Sequence, residues 1–158
     1  MCKKRNINLY TESGRAEIHD NLRVKNQWIM SHMAERPIRG RTVEYNDNRI
    51  SLFAAQYGRC AITGEEFLSP DEVHCHHKKP LYMGGKDNYQ NLTLVLQPVH
   101  ILIHAKTTET IKHYLSMLNL NSEQKKKLNK LRQMAGCEPV WRIQTMELCS
   151  RWYIMSKQ

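Results

Sequence analysis

The sequence has no closely spaced cysteine pair and no long apolar run. Its five cysteines are odd in number and contain no C-x-x-C pair, which argues against a disulfide framework and a zinc ribbon. No segment approaches the roughly 18 to 20 uninterrupted apolar residues of a membrane helix, and the start MCKKRN has no secretory apolar region. We therefore expect a folded cytoplasmic protein, located inside a bacterium or an organelle, with no membrane partner.

Acidic side chains are also few. The 158 residues carry 15 acidic and 24 basic side chains, a formal charge of +9, and such a surplus favours a polyanionic partner. The charge is uneven along the chain: residues 1–47 carry +3, residues 48–105 carry none and residues 106–158 carry +6. This length allows one domain with appendages and excludes a large multi-domain enzyme.

Histidine is concentrated in the neutral middle, where five of the eight lie between residues 74 and 104. His100 and His104 are four residues apart on a predicted helix, so they share a face and can share one metal ion. The alternative is that the pair packs or faces solvent. His76 and His77 are neighbours on a predicted strand and point to opposite sides, so one can hold a metal while the other faces a substrate. A neutral imidazole serves both tasks.

Hydrophobic spacing predicts three helices in the first part of the chain. Two short helices are expected over residues 14–23 and 25–35, the second stopping before a proline. A third is expected over residues 48–58, with Asp47 or Asn48 as its N-cap and a glycine at its end.

The second part of the chain predicts two strands joined by a loop, followed by three helices. This order indicates an α+β fold. The strands are expected at 72–79 and 92–96, and the helices at 98–105, 107–120 and 121–136.

Several chemically distinctive residues occur in one order, namely His76-His77-Lys78-Lys79-Pro80, Gly84-Gly85, Asn91-Leu92, His100 and His104. Over roughly residues 58–105 this pattern resembles the HNH motif of ββα-metal nucleases, which also occurs in nuclease colicins. Through GRAEIHDNL, RPIRGRTVEYNDNRISLFAAQYGRCAITGE and the helices to about residue 136, the chain is also similar to the C-terminal endonuclease region of group II intron encoded reverse transcriptase/maturases.

The resemblance implies a division into four segments around a ββα-metal core, a two-stranded hairpin plus a metal-binding helix, with flanking helices. These segments are a basic helical segment at 1–47, the HNH core at 48–105, a second basic helical segment at 106–136 and a tail of uncertain structure at 137–158.

The resemblance also implies roles for individual residues. His77 becomes the general base that activates water, and Asn91 orients it by tying down the loop after the first strand. His76, His100 and His104 become the ligands of one divalent metal ion, Mg²⁺ or Mn²⁺ for activity, although such a site also accepts Zn²⁺ or Ni²⁺. The implied reaction cuts DNA to 5′-phosphate and 3′-hydroxyl ends, with intron RNA or a reverse transcriptase as further partners.

Two departures from the family pattern limit these expectations. The two C-x-x-C pairs that hold a structural zinc in many relatives are missing, so we do not expect that zinc; the alternative is an irregular site of Cys60 with Cys75 or His74. A Y-A-D-D-like polymerase sequence is also missing. The chain is therefore not expected to be a reverse transcriptase by itself.

Basic residues flank the histidine region and predict contacts with nucleic-acid phosphates. The alternative for each is an ordinary solvated surface, and a non-cleaving nucleic-acid-binding module with a structural metal is the alternative function. A third hypothesis is a nuclease outside any intron. The predicted nucleic-acid-binding residues are Lys78, Lys79, Lys86, Arg39, Arg41, Lys125, Lys126 and Lys127, the last three in a run with Lys130 and Arg132.

Overall fold

The computed structural model describes residues 12–142, with side chains from Arg23 onward except that of Val24. Residues 143–158, most of the predicted tail, therefore lie outside the described residues. No helix in the described part is long and apolar enough to cross a membrane.

The described chain is an α+β structure with one two-stranded antiparallel sheet and five α-helices, which confirms the predicted class. Short 3₁₀ turns lie at Pro70–Glu72, Leu81–Met83 and Tyr89–Asn91. The elements in chain order are α1 Glu12–Glu35, α2 Val43–Ala55, β1 His74–His77, β2 Leu92–Val95, α3 Gln97–His104, α4 Thr108–Leu118 and α5 Ser122–Met134.

The first helix differs from the prediction. Residues 12–35 form one continuous helix instead of two short ones, because no glycine or proline interrupts the chain between the two predicted halves. The helix stops before Pro37, as expected. Ile29 and Met33, four residues apart, lie on its buried face and join the core.

The start of α2 was predicted too late. Thr42, not Asp47 or Asn48, is the N-cap, since its hydroxyl accepts a hydrogen bond of 3.0 Å from the backbone N–H of Tyr45. The predicted segment boundary after residue 47 consequently falls inside α2. The longer helix places Tyr45 and Arg49 four residues apart on one face, and both are buried.

The two strands form the hairpin that the sequence predicts. β1 pairs with β2 so that His76 lies opposite Thr93 and His77 opposite Leu92. All four residues of β2 are buried, which makes the hairpin one wall of the core.

α3 follows β2 directly and has Pro98 in its first turn, where the missing N–H costs nothing. Val99, Leu102 and Ile103 face the core. His100 and His104 therefore lie on the opposite face, which is turned toward β1.

The basic residues of α5 lie in two different environments. Its side chains at Lys125, Lys126 and Lys127 are exposed, whereas Arg132 is only 1% exposed. The expectation that Arg132 shares a solvated or nucleic-acid-binding face with the lysines is wrong. Its helical position puts it beside Leu128 and Leu131 on the buried face of α5.

Candidate metal centre

Three histidines from two elements converge at the hairpin. The side chains of His76 on β1 and of His100 and His104 on α3 place one nitrogen each within 4.8 Å of one another. Their rings lie 5.0 to 5.4 Å apart between centroids. His76 is buried, His100 is half-buried and His104 is exposed, so the group is close enough to bind a metal ion and is open on one side.

One nitrogen of this group is buried without a hydrogen-bond partner in the described part of the chain, which indicates that the group can bind a cation. Nε2 of His76 is buried and has no hydrogen-bond partner among the described residues. A buried polar atom without a partner is costly in a folded protein. Coordination of a metal by this nitrogen removes that cost, and three imidazoles suit Zn²⁺, Ni²⁺ or Mn²⁺.

The electrostatics keep the three imidazoles neutral. Burial, helped by the neighbouring histidines, lowers the pKa of His76 to about 3, and burial followed by the charge of His104 lowers that of His100 to about 4. Burial also lowers the pKa of His104, and the positive charge of Arg132 adds to this effect. Protons therefore compete weakly with a metal for these nitrogens near neutral pH.

His74 lies beside this group without belonging to it. Its ring stacks on that of His100 with 5.7 Å between centroids, but its nitrogens are not among those that converge. Cys60 and Cys75, the other members of the alternative zinc site, belong to no convergent group of metal ligands among the described residues. Sγ of Cys60 accepts a hydrogen bond from Leu96 N, and the backbone oxygen of Cys75 accepts one from Tyr45.

His77 points to the other side of β1 and is held by an acid. Its Nε2 lies 2.7 Å from Oδ1 of Asp87, and its ring stacks on Tyr45 with 5.5 Å between centroids. Asp87 also accepts a 2.6 Å hydrogen bond from the hydroxyl of Thr42. This bond and the one with His77 hold the pKa of the Asp87 carboxyl below its ordinary value. The ionised carboxylate only accepts, so Nε2 of His77 donates, and in the neutral imidazole Nδ1 carries the lone pair.

Asp87 was missed in the sequence, although one signal was available. It is the only acidic residue between β1 and β2. A lone carboxylate in the loop that follows a candidate base is a natural partner for that base.

Asn91 closes the loop between the strands. Its side-chain oxygen accepts from Lys79 N at 2.8 Å, and its side-chain nitrogen donates to the carbonyls of Lys79 and Lys86 at 2.9 Å. A Cβ at Gly85 would lie 1.9 Å from the Lys79 carbonyl oxygen, so only glycine permits this close approach. The loop that carries Asp87 is thereby fastened to the end of β1.

The predicted lysines of this loop lie around it rather than in the histidine cleft. Nζ of Lys78 donates to the carbonyl of Gln90 at 2.7 Å, while Lys79 and Lys86 are exposed. Their contact with nucleic acid remains a prediction.

One cleft of about 690 Å³ is lined by the three-histidine group and by His77. Three arginines, Arg36, Arg41 and Arg49, line it as well, against a single acid, Asp71. Of these, only Arg41 was predicted; its guanidinium lies 5.1 Å from the centre of the Tyr45 ring. Arg39 is exposed and does not line the cleft. The charged residues that line the cleft therefore give it a net positive charge even with its three-histidine group neutral.

No family model, curated protein or solved structure matches the chain. The chemistry of the cleft must carry any assignment of function.

The lowered pKa of His76 predicts acid lability of the metal-free protein. Unfolding returns this imidazole to a pKa of about 6.5, so between about pH 6.5 and its folded value the unfolded chain binds the extra proton. The free energy of unfolding should then fall by about 1.4 kcal/mol per pH unit from His76 alone as the pH is lowered. Urea denaturation in chelator at several pH values measures this slope. His76→Gln should make it shallower, and an unchanged slope would contradict the assignment.

Proposed function

We propose that the protein is a metal-dependent endonuclease of the HNH, ββα-metal type that hydrolyses DNA phosphodiester bonds. The observation that carries this proposal is the arrangement of two kinds of histidine around one hairpin. A neutral three-histidine group and a separate, carboxylate-held histidine line the same positively charged cleft.

The residues divide the hydrolysis between them. His76, His100 and His104 would hold the divalent metal, which would supply stabilisation of the negative charge that develops during hydrolysis. Nδ1 of His77 accepts a proton from water as the water oxygen bonds to phosphorus. The bond from phosphorus to the 3′ oxygen breaks, and that oxygen takes up a proton from solvent water. The products are a 5′-phosphate and a 3′-hydroxyl.

Asp87 and Asn91 act through His77 as positioning residues. Asp87 fixes the tautomer and the orientation of the imidazole, while Asn91 fastens the loop on which Asp87 lies. Positioning groups of this kind commonly change activity by about 10- to 100-fold.

A place in group II intron mobility is proposed on the resemblance of the sequence motifs alone; there the 3′-hydroxyl would prime reverse transcription. DNA is then the substrate, and intron RNA or a reverse transcriptase is a partner. Mg²⁺ or Mn²⁺ is the proposed active metal.

One observation favours the second candidate function, a binding module with a structural metal. The side chain of His77 is only 11% exposed, packed between Tyr45 and Asp87. In such a module the hydrogen bond between His77 and Asp87 stabilises the loop, and the protein binds nucleic acid without cutting it.

Plasmid nicking separates the two functions. Supercoiled plasmid is incubated with the protein and Mg²⁺, Mn²⁺, Zn²⁺ or Ni²⁺, with and without chelator. We expect metal-dependent nicking that chelator abolishes and that His100→Ala abolishes together with metal binding. His113→Ala, at an exposed position on α4 outside the cleft, is the matched control and should nick normally. Salt-sensitive plasmid binding without nicking under any metal would instead support the binding module.

A further inference from the structure

Three buried side-chain polar atoms in the described residues lack a hydrogen-bond partner, and all belong to the same cleft. One is Nε2 of His76, and the other two are Nε and Nη1 of Arg49. Metal coordination accounts for the first. The two guanidinium atoms need a different partner.

Arg49 is an unusual arginine because it is only 5% exposed. A buried charge without a partner is among the most costly features a fold can retain. Among the described residues, Asp71 is the only acid that lines the cleft, and none of the ion pairs found there involves Arg49. The folded chain therefore holds an uncompensated positive charge at this place.

The position of Arg49 connects that charge to the histidines. It lies one helical turn after Tyr45 on α2, the helix that packs against the hairpin. The hydroxyl of Tyr45 donates a hydrogen bond of 3.2 Å to the backbone carbonyl of Cys75 on β1. Arg49 lines the cleft together with His74 and Cys75, so it faces the same space as the side chains of β1.

The chemistry of the missing partner follows from the donors. A guanidinium is always charged and presents N–H groups in a planar fork that matches phosphate oxygens. The neighbouring Arg36 and Arg41 add positive charge to the same cleft. An anion with several oxygens is the ligand that satisfies these groups.

We propose that Arg49 is a phosphate-binding residue of this cleft that contacts a backbone phosphate oxygen of the nucleic acid bound there. The identification of the ligand as nucleic acid rests on the proposed function. The anion site itself rests on the buried, unpaired guanidinium and requires neither the metal nor cleavage.

The first test uses inorganic phosphate as the probe and the full chain in chelator. Phosphate should raise the melting temperature of the wild type, and Arg49→Met should abolish that rise. Without phosphate, Arg49→Met should melt a few degrees above the wild type, because the variant removes a buried unpaired charge and keeps the volume. Arg23→Met, the same change at an exposed position outside the cleft, should leave the phosphate response unchanged.

The second test measures the affinity of a short DNA duplex by fluorescence anisotropy, also in chelator. Arg49→Met should weaken binding by about tenfold or more, the range of a charge-assisted hydrogen bond. Arg49→Lys keeps the charge but loses the fork, so it should fold normally and show a reduced response to phosphate.

The outcomes distinguish this proposal from the nuclease assignment. If the wild type never cuts but Arg49→Met weakens DNA binding and the phosphate response, the phosphate site stands and the nuclease fails. If Arg49→Met lowers the melting temperature or fails to fold, or if either Arg49 variant responds to phosphate as the wild type does, Arg49 is a structural residue and the proposal is wrong.

Discussion

His77→Ala is expected to reduce plasmid nicking by about 10²- to 10⁴-fold, the range that a general base contributes, and to leave metal binding unchanged. The reason is the geometry of β1. Alternation along the strand sends His77 away from His76, so the variant removes the proposed general base without touching a proposed metal ligand. Nicking rates and metal stoichiometry are measured on the same preparation.

The partner of His77 provides a graded control. Asp87→Asn keeps the shape of the side chain but allows its amide to donate or accept, so the imidazole is no longer restricted to one tautomer. We expect a loss of about 10- to 100-fold in turnover, smaller than that of His77→Ala, with an unchanged metal stoichiometry. Wild-type nicking by His77→Ala, or loss of the metal from it, would contradict the assigned role.

The hairpin and the positions of its histidines were predictable because they depend on local periodicity. Alternation along β1 separates His76 from His77, and spacing of four residues along α3 places His100 beside His104. Antiparallel pairing of β1 with β2, followed at once by α3, then brings the strand and helix histidines together. The first two steps use sequence neighbours only, and the third joins elements that follow one another along the chain.

Asp87 and Arg49 were missed for physical reasons that differ. Asp87 reaches His77 through a loop whose path is set by Asn91 and by the close approach at Gly85, and loop paths have no periodic signature. Arg49 was missed because the N-cap of α2 was placed at Asp47 or Asn48. Starting the helix at Val43 is what makes Tyr45 and Arg49 neighbours on its buried face.

The count of charges in each sequence segment does not show where the basic residues lie in the fold. The segment 48–105 is neutral by count, yet the cleft gains Arg36 and Arg41 from the segment before it and keeps its own Arg49. The acids of that segment mostly lie elsewhere. Conversely, Arg132 was counted with the surface charge of the last segment and is buried.

Arg132→Met is expected to destabilise the protein strongly, in contrast to the same change at Arg49. Both arginines are buried, but the guanidinium of Arg132 donates to the carbonyls of Leu102, Ile103 and Ala105 at the end of α3. Its Nε also donates to the carbonyl of Glu138 at 2.7 Å. Carbonyls at a helix C-terminus have no partner within the helix, so this side chain satisfies groups that would otherwise be buried and unpaired.

Removal of the guanidinium should lower the free energy of unfolding by about 3 to 5 kcal/mol, because it leaves several backbone carbonyls unpaired at a cost of about 1 to 3 kcal/mol each. The urea midpoint measures this change. Lys130→Met, at an exposed position on the same helix, is the control and should stay within about 0.5 kcal/mol of the wild type. Because α3 carries His100 and His104, the Arg132 variant should also bind metal more weakly. A midpoint equal to that of the wild type would show that these hydrogen bonds do not stabilise α3. It would also contradict the expectation that Arg132→Met destabilises the protein whereas Arg49→Met stabilises it.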